Sequence, residues 1–177
     1  MRSWAVPLLL CVTLLAGCSS ASGDTPGGFP VAKMSGPLPS LTGTTIGGTT
    51  LDSAGLRGHV VVLNFWNPDC PPCRTEAPEL RSEWQHLRPL GVRFVGVVYV
   101  GGNWPDDPSA ARTYVGRYGL DYPVIVDQHS SIARAAAIQG IPETIVADAS
   151  GQMRYRVLGA LKPGELTALI TGLSPSP

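Results

Sequence analysis

The sequence shows no excess of charge of either sign, since Lys plus Arg and Asp plus Glu number 13 each among 177 residues. No basic cluster stands out either, so nothing indicates a nucleic-acid partner. Cysteine is also scarce: two of the four, Cys11 and Cys18, lie in the first segment. The fold is therefore not a disulfide-stapled framework, and a buried apolar core must stabilise it.

Histidine is scarce as well, and the three that occur are widely separated along the chain: His59, His86 and His129. Structural zinc sites usually draw four Cys or His ligands from closely spaced pairs. These histidines lack that spacing, and we read them as surface or structural residues. We expect neither a metal nor another cofactor.

A strongly apolar run of the length typical of a signal peptide, Trp4 to Leu15, follows the basic start Met1-Arg2 and is short for a membrane span. Residues 1–17 are therefore predicted to be a secretory signal. The run ends Leu-Leu-Ala-Gly-Cys18, which resembles the lipobox of bacterial lipoproteins. That resemblance implies lipidation of Cys18 and anchoring at the extracytoplasmic face of the bacterial cell membrane. The alternative is an ordinary secretory signal in which Cys18 is incidental.

Residues 18–39 are mostly small or helix-breaking, being rich in Ser, Gly and Pro. Such a segment buries too little apolar surface to fold, so we predict a disordered tether. The folded domain is then expected to span 40–173.

Two cysteines, Cys70 and Cys73, stand between an apolar run from Val60 to Phe65 and a helical pattern. At a helix start, the unpaired N–H groups and the macrodipole favour the thiolate of the first cysteine. Cys73, one turn further, can close a reducible disulfide with it, so we predict a thiol–disulfide site. Two alternatives are half of a zinc site and a structural disulfide, although the latter closes too small a loop to stabilise much.

The remaining pattern alternates strands and helices around this pair. Gly47-Gly48 suits the turn of a hairpin within 41–56. Strand–helix–strand order favours parallel pairing, and a late hairpin adds an antiparallel edge. We predict an α/β fold, a central mixed sheet flanked by helices with an added N-terminal β-hairpin. The strands are expected at 60–65, 92–100, 122–127, 145–148 and 152–157, and the helices at 76–87, 110–118, 130–138 and 162–170.

Two separated motifs carry a family resemblance. Phe65-Trp66 leads to Cys70-Pro71-Pro72-Cys73, and Gly140-Ile141-Pro142-Glu143-Thr144 follows about seventy residues later. In this order they resemble the thioredoxin superfamily and, more narrowly, its TlpA/ResA/DsbE group, over residues 37–173. The resemblance implies a thioredoxin-like fold. It also implies a membrane-tethered extracytoplasmic thiol–disulfide oxidoreductase, several of which reduce apocytochrome c.

The resemblance also implies roles for individual residues. Cys70 would be the exposed nucleophile and Cys73 the resolving thiol. Pro142 would be a cis-proline facing the two sulfurs, although a simple turn is the alternative. The residues expected to be catalytic or to contact substrate are Cys70, Cys73, Glu76, Trp66, Ile141, Pro142 and Glu143.

Several of these assignments have a structural alternative. Glu76 either moves protons near the thiols or is a solvated glutamate of the first helical turn, and Glu143 has the same ambiguity. Trp66 either lines the site or packs in the core. Trp104, in a Gly/Pro loop, either contacts substrate or pins that loop.

Asp69 departs from the superfamily pattern, in which tryptophan commonly precedes the first cysteine. A negative charge beside Cys70 disfavours its thiolate and favours a reductant, while the helix dipole and Arg74 act the other way. Asp69 has an alternative role as the cap of the helix.

The leading hypothesis is a lipid-anchored oxidoreductase that reduces exported proteins and draws on a membrane electron donor or acceptor. One alternative is an oxidase that donates disulfides, and another is a non-catalytic assembly or chaperone lipoprotein. A metal relay through Cys70 and Cys73 is more distant. A peroxidase would need Pro-x-x-x-[Ser/Thr]-x-x-Cys, which the residues before Cys70 do not supply.

Overall fold

The computed structural model describes residues 31–173. The predicted signal peptide and the lipidation of Cys18 lie outside these residues. The strands are β1 Val31–Lys33, β2 Thr42–Thr44, β3 Thr50–Asp52, β4 Val61–Trp66, β5 Arg93–Tyr99, β6 Val124–Asp127, β7 Glu143–Ala147 and β8 Met153–Leu158. The helices are α1 Pro71–Leu87, α2 Pro108–Tyr118, α3 Ser131–Ala135 and α4 Glu165–Thr171, with 3-10 turns at Ser53–Leu56 and Arg88–Leu90.

The main sheet has six strands in the order β1-β8-β7-β4-β5-β6. Strands β4, β5 and β6 run parallel, and β7, β8 and β1 are antiparallel to their neighbours. The predicted mixed sheet of a thioredoxin-like fold is confirmed. Strands β2 and β3 form the added N-terminal hairpin as a separate two-stranded sheet.

Strand β4 lies at the centre and is buried along its whole length. Its side chains alternate between two core clusters, with Val62 and Trp66 on one face and Val61, Leu63 and Phe65 on the other. Cys73 and Ala77 of α1 belong to the cluster of Val62 and Trp66. Alternation places the polar Asn64 on the face that α1 covers.

The predicted tether boundary was wrong. Val31–Lys33 forms β1, with Val31 opposite Val157 and Lys33 opposite Tyr155 of β8. A bridge between Pro37 and Gln152 continues the contact. Three residues in a Gly- and Pro-rich context give no local strand signal, because pairing with the edge of β8 decides their conformation. The folded part therefore includes residues 31–39.

The bounds of several helices also differ from the prediction. Helix α1 begins five residues earlier than expected, at Pro71, because proline suits the first helical turn, where its missing N–H is not needed. Helix α2 begins two residues earlier than expected, at Pro108, and Asp107 caps it, since its carboxylate accepts from the N–H groups of Ser109 and Ala110. Helices α3 and α4 are shorter than predicted. No helix between residues 31 and 173 is long and apolar enough to cross a membrane.

Candidate active site

Cys70 and Cys73 form a disulfide at the start of α1, with an S–S distance of 2.06 Å. Pro71 and Pro72 carry no N–H, so the first available amide of the helix is that of Cys73. It donates to Cys70 Sγ at 3.2 Å. This donor and the helix terminus together stabilise a negative charge on Cys70 Sγ once the disulfide is reduced.

The exposed nucleophile that the resemblance implied is not exposed in this disulfide form. Cys70 is 1% exposed and Cys73 0%. Both lie in the core cluster of the α1 face, and only Pro71 and Pro72 of the motif reach the surface between them. Among residues 31–173 no group of three His, Cys, Asp or Glu is placed to hold a metal ion.

Trp66 belongs to the same core cluster as the disulfide and does not line an open site. Its side chain is 1% exposed and stacks on Tyr114 of α2 with ring centroids 4.2 Å apart. A Cβ at Gly96 on β5 would meet Trp66 Nε1 at 3.0 Å, so a glycine is needed beside the indole. The predicted substrate contact by Trp66 was therefore wrong, and its packing alternative is confirmed.

Tyr114 is a site residue that the sequence did not reveal. Its hydroxyl donates to the carbonyl of Cys73 at 2.6 Å. Burial raises the pKa of this hydroxyl well above its ordinary value, so it stays a hydrogen-bond donor. Nothing in the local pattern of α2 distinguishes this tyrosine from Tyr118 one turn later.

Glu76 is buried on the same face of α1 as Cys73, with 2% of its surface exposed. Its Oε1 accepts from the backbone N–H of Leu161 at 3.0 Å, and its Oε2 accepts from Asn64 Nδ2 at 3.3 Å. Desolvation raises the pKa of Glu76 to about 7, against these two hydrogen bonds, and Glu165 contributes a smaller rise. The solvated alternative for Glu76 is excluded.

Asn64 connects this carboxyl group to another part of the sheet. The same Nδ2 donates to Thr144 Oγ1 on β7 at 2.9 Å. Asn64 Oδ1 is buried and has no hydrogen-bond partner among the described residues. The sequence signal for the role of Asn64 was its position as a polar residue inside an otherwise apolar strand. No sequence signal marked Thr144.

The peptide bond between Ile141 and Pro142 is cis. Since Glu143 of β7 pairs with Phe65 of β4, Pro142 lies at the end of the sheet from which β4 leads to Cys70. Pro142 is buried, whereas Ile141 is half-buried and packs against the cluster that contains both cysteines. The second motif therefore reaches the same end of the molecule as the first.

The side chain of Glu143 points away from solvent and is not accessible to a substrate. It is 0% exposed, its Oε2 accepts from the N–H of Gln139 at 2.8 Å, and its Oε1 lies 2.9 Å from Arg156 Nε. Burial raises the pKa of Glu143, while the Gln139 hydrogen bond and the Arg156 charge oppose that rise. The predicted substrate-binding role of this side chain was wrong; it fixes the loop before Pro142. That loop borders an open cavity of about 290 Å³.

Asp69 is exposed and does not cap α1, because Cys70 occupies the cap position. The residue before the motif that organises the loop is Asn67. Its Oδ1 accepts from the N–H of Asp69, and its Nδ2 donates to the carbonyls of Tyr99 and Pro105. Asn67 thus joins the active-site loop to the loop of Trp104, whose half-buried side chain packs against the disulfide cluster.

A thioredoxin-like sheet and a Cys-x-x-Cys disulfide at a helix start, with a cis-proline at the same end, define the class of thioredoxin-fold thiol–disulfide proteins. The family model described as Redoxin matches residues 31–170, and the chain belongs to this family.

Named relatives and solved structures that are similar to this chain belong to the same class. The thiol:disulfide interchange protein HelX of Rhodobacter capsulatus is 28% identical over 95% of this chain and 93% of its own length. A secreted Mycobacterium tuberculosis disulfide oxidoreductase, described as homologous to E. coli DsbE, is 28% identical with a TM-score of 0.66, covering 75% of this chain and 96% of that one. A thiol:disulfide interchange protein of Chlorobium tepidum reaches a TM-score of 0.70 at 27% identity, covering 79% and 97%. The protein is a thiol–disulfide oxidoreductase.

Proposed function

We propose that the protein is a reductant of disulfides in exported proteins, held at the extracytoplasmic face of the bacterial cell membrane by a lipid on Cys18. The observation that carries the direction is the buried Glu76 beside the cysteine pair, which has no cation among its hydrogen-bond partners. A carboxylate in that position disfavours thiolates, and a dithiol whose thiolates are disfavoured is a stronger reductant.

In the proposed reaction the reduced enzyme starts with both thiols free. The thiolate of Cys70 attacks one sulfur of the substrate disulfide, forms a mixed disulfide and releases one substrate thiolate. The thiolate of Cys73 then attacks Cys70 Sγ and releases the second substrate thiolate. The substrate gains two electrons and two protons, and the enzyme is left with the Cys70–Cys73 disulfide of this structure. A membrane dithiol donor returns two electrons and two protons to the enzyme, is itself oxidised to a disulfide, and so closes the cycle.

Glu76 is proposed to accept the proton of Cys73 when that thiol attacks. A general base works best with a pKa close to the working pH, and burial raises the pKa of Glu76 to about 7. Glu76 and Cys73 lie one turn apart on the same face of α1. Asn64 and Thr144 would act as positioning residues that orient the carboxyl group.

The substrate is proposed to lie along the loop that ends at Pro142, with half-buried Ile141 as its apolar contact. The backbone there borders the cavity of about 290 Å³, and the carbonyl of Pro142 accepts a hydrogen bond from the N–H of Gly159. By resemblance to the TlpA/ResA/DsbE group, we propose apocytochrome c as a substrate.

The test is the reduction potential of the Cys70–Cys73 pair, obtained by equilibrating the protein in graded dithiothreitol and glutathione buffers. A potential close to that of thioredoxin, about −270 mV, supports a reductant. A potential close to about −120 mV indicates an oxidase and overturns the proposal.

One observation favours the oxidase as the second candidate. The hydrogen bond from the Cys73 N–H to Cys70 Sγ stabilises a thiolate, and a stabilised thiolate makes the disulfide more oxidising. Cys70→Ser separates both redox candidates from a non-catalytic assembly role, because only an assembly factor keeps its function without Cys70.

A further inference from the structure

A groove beside the disulfide carries positive charge that no function described so far uses. Helix α2 supplies one wall through Thr113, Tyr114, Arg117 and Tyr118, and Pro68 and Arg74 border the active-site side. Its volume is about 340 Å³. We call it the arginine groove.

The arginine groove is joined directly to the redox centre. Pro68 lies two residues before Cys70, and Arg74 one residue after Cys73. Tyr114 in its wall donates its hydroxyl to the carbonyl of Cys73. A polypeptide whose disulfide reaches Cys70 would therefore have its neighbouring residues within reach of the groove.

The charges in the groove are of one sign. Arg74 and Arg117 are exposed, and within residues 31–173 neither takes part in an ion pair. Arg74 Nη1 donates to the carbonyl of Pro68 at 3.1 Å, which holds the guanidinium at the groove entrance. No carboxylate of the described part of the chain lines the groove, and the nearby Asp107 already accepts the hydrogen bonds that cap α2.

We propose that the arginine groove binds an acidic side chain of the polypeptide that exchanges its disulfide with Cys70. Guanidinium groups present forked donors that match a carboxylate, and the tyrosine rings supply the apolar floor for its methylene stem. The inference rests on the proposed function, since it specifies the chemistry of the substrate at the same site.

The test compares two disulfide peptides of equal length that differ only in carrying Glu or Gln two residues after the second cysteine. The full chain, reduced beforehand, is mixed with each peptide and the rate of peptide reduction is followed. At low salt the Glu peptide is expected to react roughly two- to fivefold faster, in proportion to the energy of an exposed ion pair. The preference should vanish in about 500 mM salt, where such charges are screened.

Arg117→Gln is expected to abolish this preference, and Arg117→Lys, which keeps the charge, to retain most of it. Arg112→Gln is the matched control, because Arg112 is also exposed on α2 but lines a different groove. A wild-type rate ratio of one, no effect of Arg117→Gln, or an equal effect of Arg112→Gln would overturn the inference. If the Gln peptide is not reduced at all by the wild type, it is the proposed function that fails.

Discussion

Two buried glutamates, Glu76 and Glu143, lie at the same end of the sheet and differ in what faces them. Glu143 is beside Arg156 and has a backbone N–H as a second partner. Among residues 31–173, Glu76 has only an amide and a backbone N–H as partners. Burial raises the pKa of both, but the Gln139 hydrogen bond and the Arg156 charge oppose that rise at Glu143, while no cation between residues 31 and 173 does so at Glu76. Two buried carboxyl groups thus both have a raised pKa, and at Glu76, which faces no such charge among the described residues, it reaches about 7, close to neutral pH.

The largest expected effect comes from breaking the ion pair. Arg156→Met leaves Glu143 buried without its cation and should lower the free energy of unfolding by roughly 3–5 kcal/mol. Urea unfolding of the variant and the wild type measures this loss of stability. The loss should shrink in acid, where Glu143 takes up a proton. Arg154→Met, which removes the more exposed Arg154–Asp148 pair, is the control and should cost about 1 kcal/mol or less. Equal losses for both variants would contradict the claim that Arg156 compensates the buried charge of Glu143.

Glu76→Gln tests the other glutamate. The pKa of Glu76 rises from 4.5 to about 7 on folding, so between these values the folded protein binds more protons than the unfolded chain. Stability contributed by this group therefore falls as the pH rises through that window, by about 3 kcal/mol in total. Relative to the wild type, Glu76→Gln should gain about that much between pH 4.5 and about pH 8.

Urea unfolding of the oxidised protein at both pH values measures this gain. Glu79→Gln is the control, because Glu79 is a partly exposed glutamate of the same helix. Glu76→Gln should also remove a break near neutral pH in the dependence of the reduction potential on pH. A pH-independent difference between Glu76→Gln and the wild type would contradict the shifted pKa.

Thr144→Val sharpens the comparison by removing only the hydroxyl that holds Asn64. A buried hydrogen bond is lost, at a cost of about 1–3 kcal/mol in unfolding free energy. With Asn64 held less firmly, its hydrogen bond to Glu76 weakens and the pKa of Glu76 should rise further. The break in the pH dependence of the reduction potential then moves upward. Thr144→Ser should restore the wild-type profile, and if it does not, the hydroxyl is not the positioning group.

Asp69→Asn is expected to have the smallest effect. Asp69 is exposed, so water and salt screen its charge from Cys70 although the two are neighbours in sequence. The thiolate fraction of reduced Cys70, measured by its alkylation rate, should rise less than about threefold. A tenfold rise would show that an exposed carboxylate matters as much as the buried one.

Local sequence predicted the elements whose signals are themselves local. The apolar run before Cys70, the pair Cys70 and Cys73, and the order of strands and helices were sufficient for a thioredoxin-like fold. The hairpin around Gly47-Gly48 was also predictable from its turn residues. By contrast, β1 could not be predicted, because its strand conformation depends on the unpaired edge of β8.

The environments of the site residues could not be predicted for a related reason. The partners of Glu76 come from β4 and from Leu161, which is 85 residues away in sequence. Trp66 was expected to have either of two roles, and only its stacking on Tyr114 decided between them. The exposure expected of Cys70 was wrong because burial depends on every element packed around it.

The sequence by itself determined the chemistry that this protein has available: two thiols one helical turn apart, a proline 69 residues after Cys73, and carboxyl groups nearby. Only the tertiary structure decided which carboxyl group can exchange protons, because a pKa depends on desolvation and on the charges that distant strands bring close. Glu76 and Glu143 are both buried, and burial raises the pKa of each, but at Glu143 the N–H of Gln139 and the guanidinium of Arg156 on β8 oppose that rise.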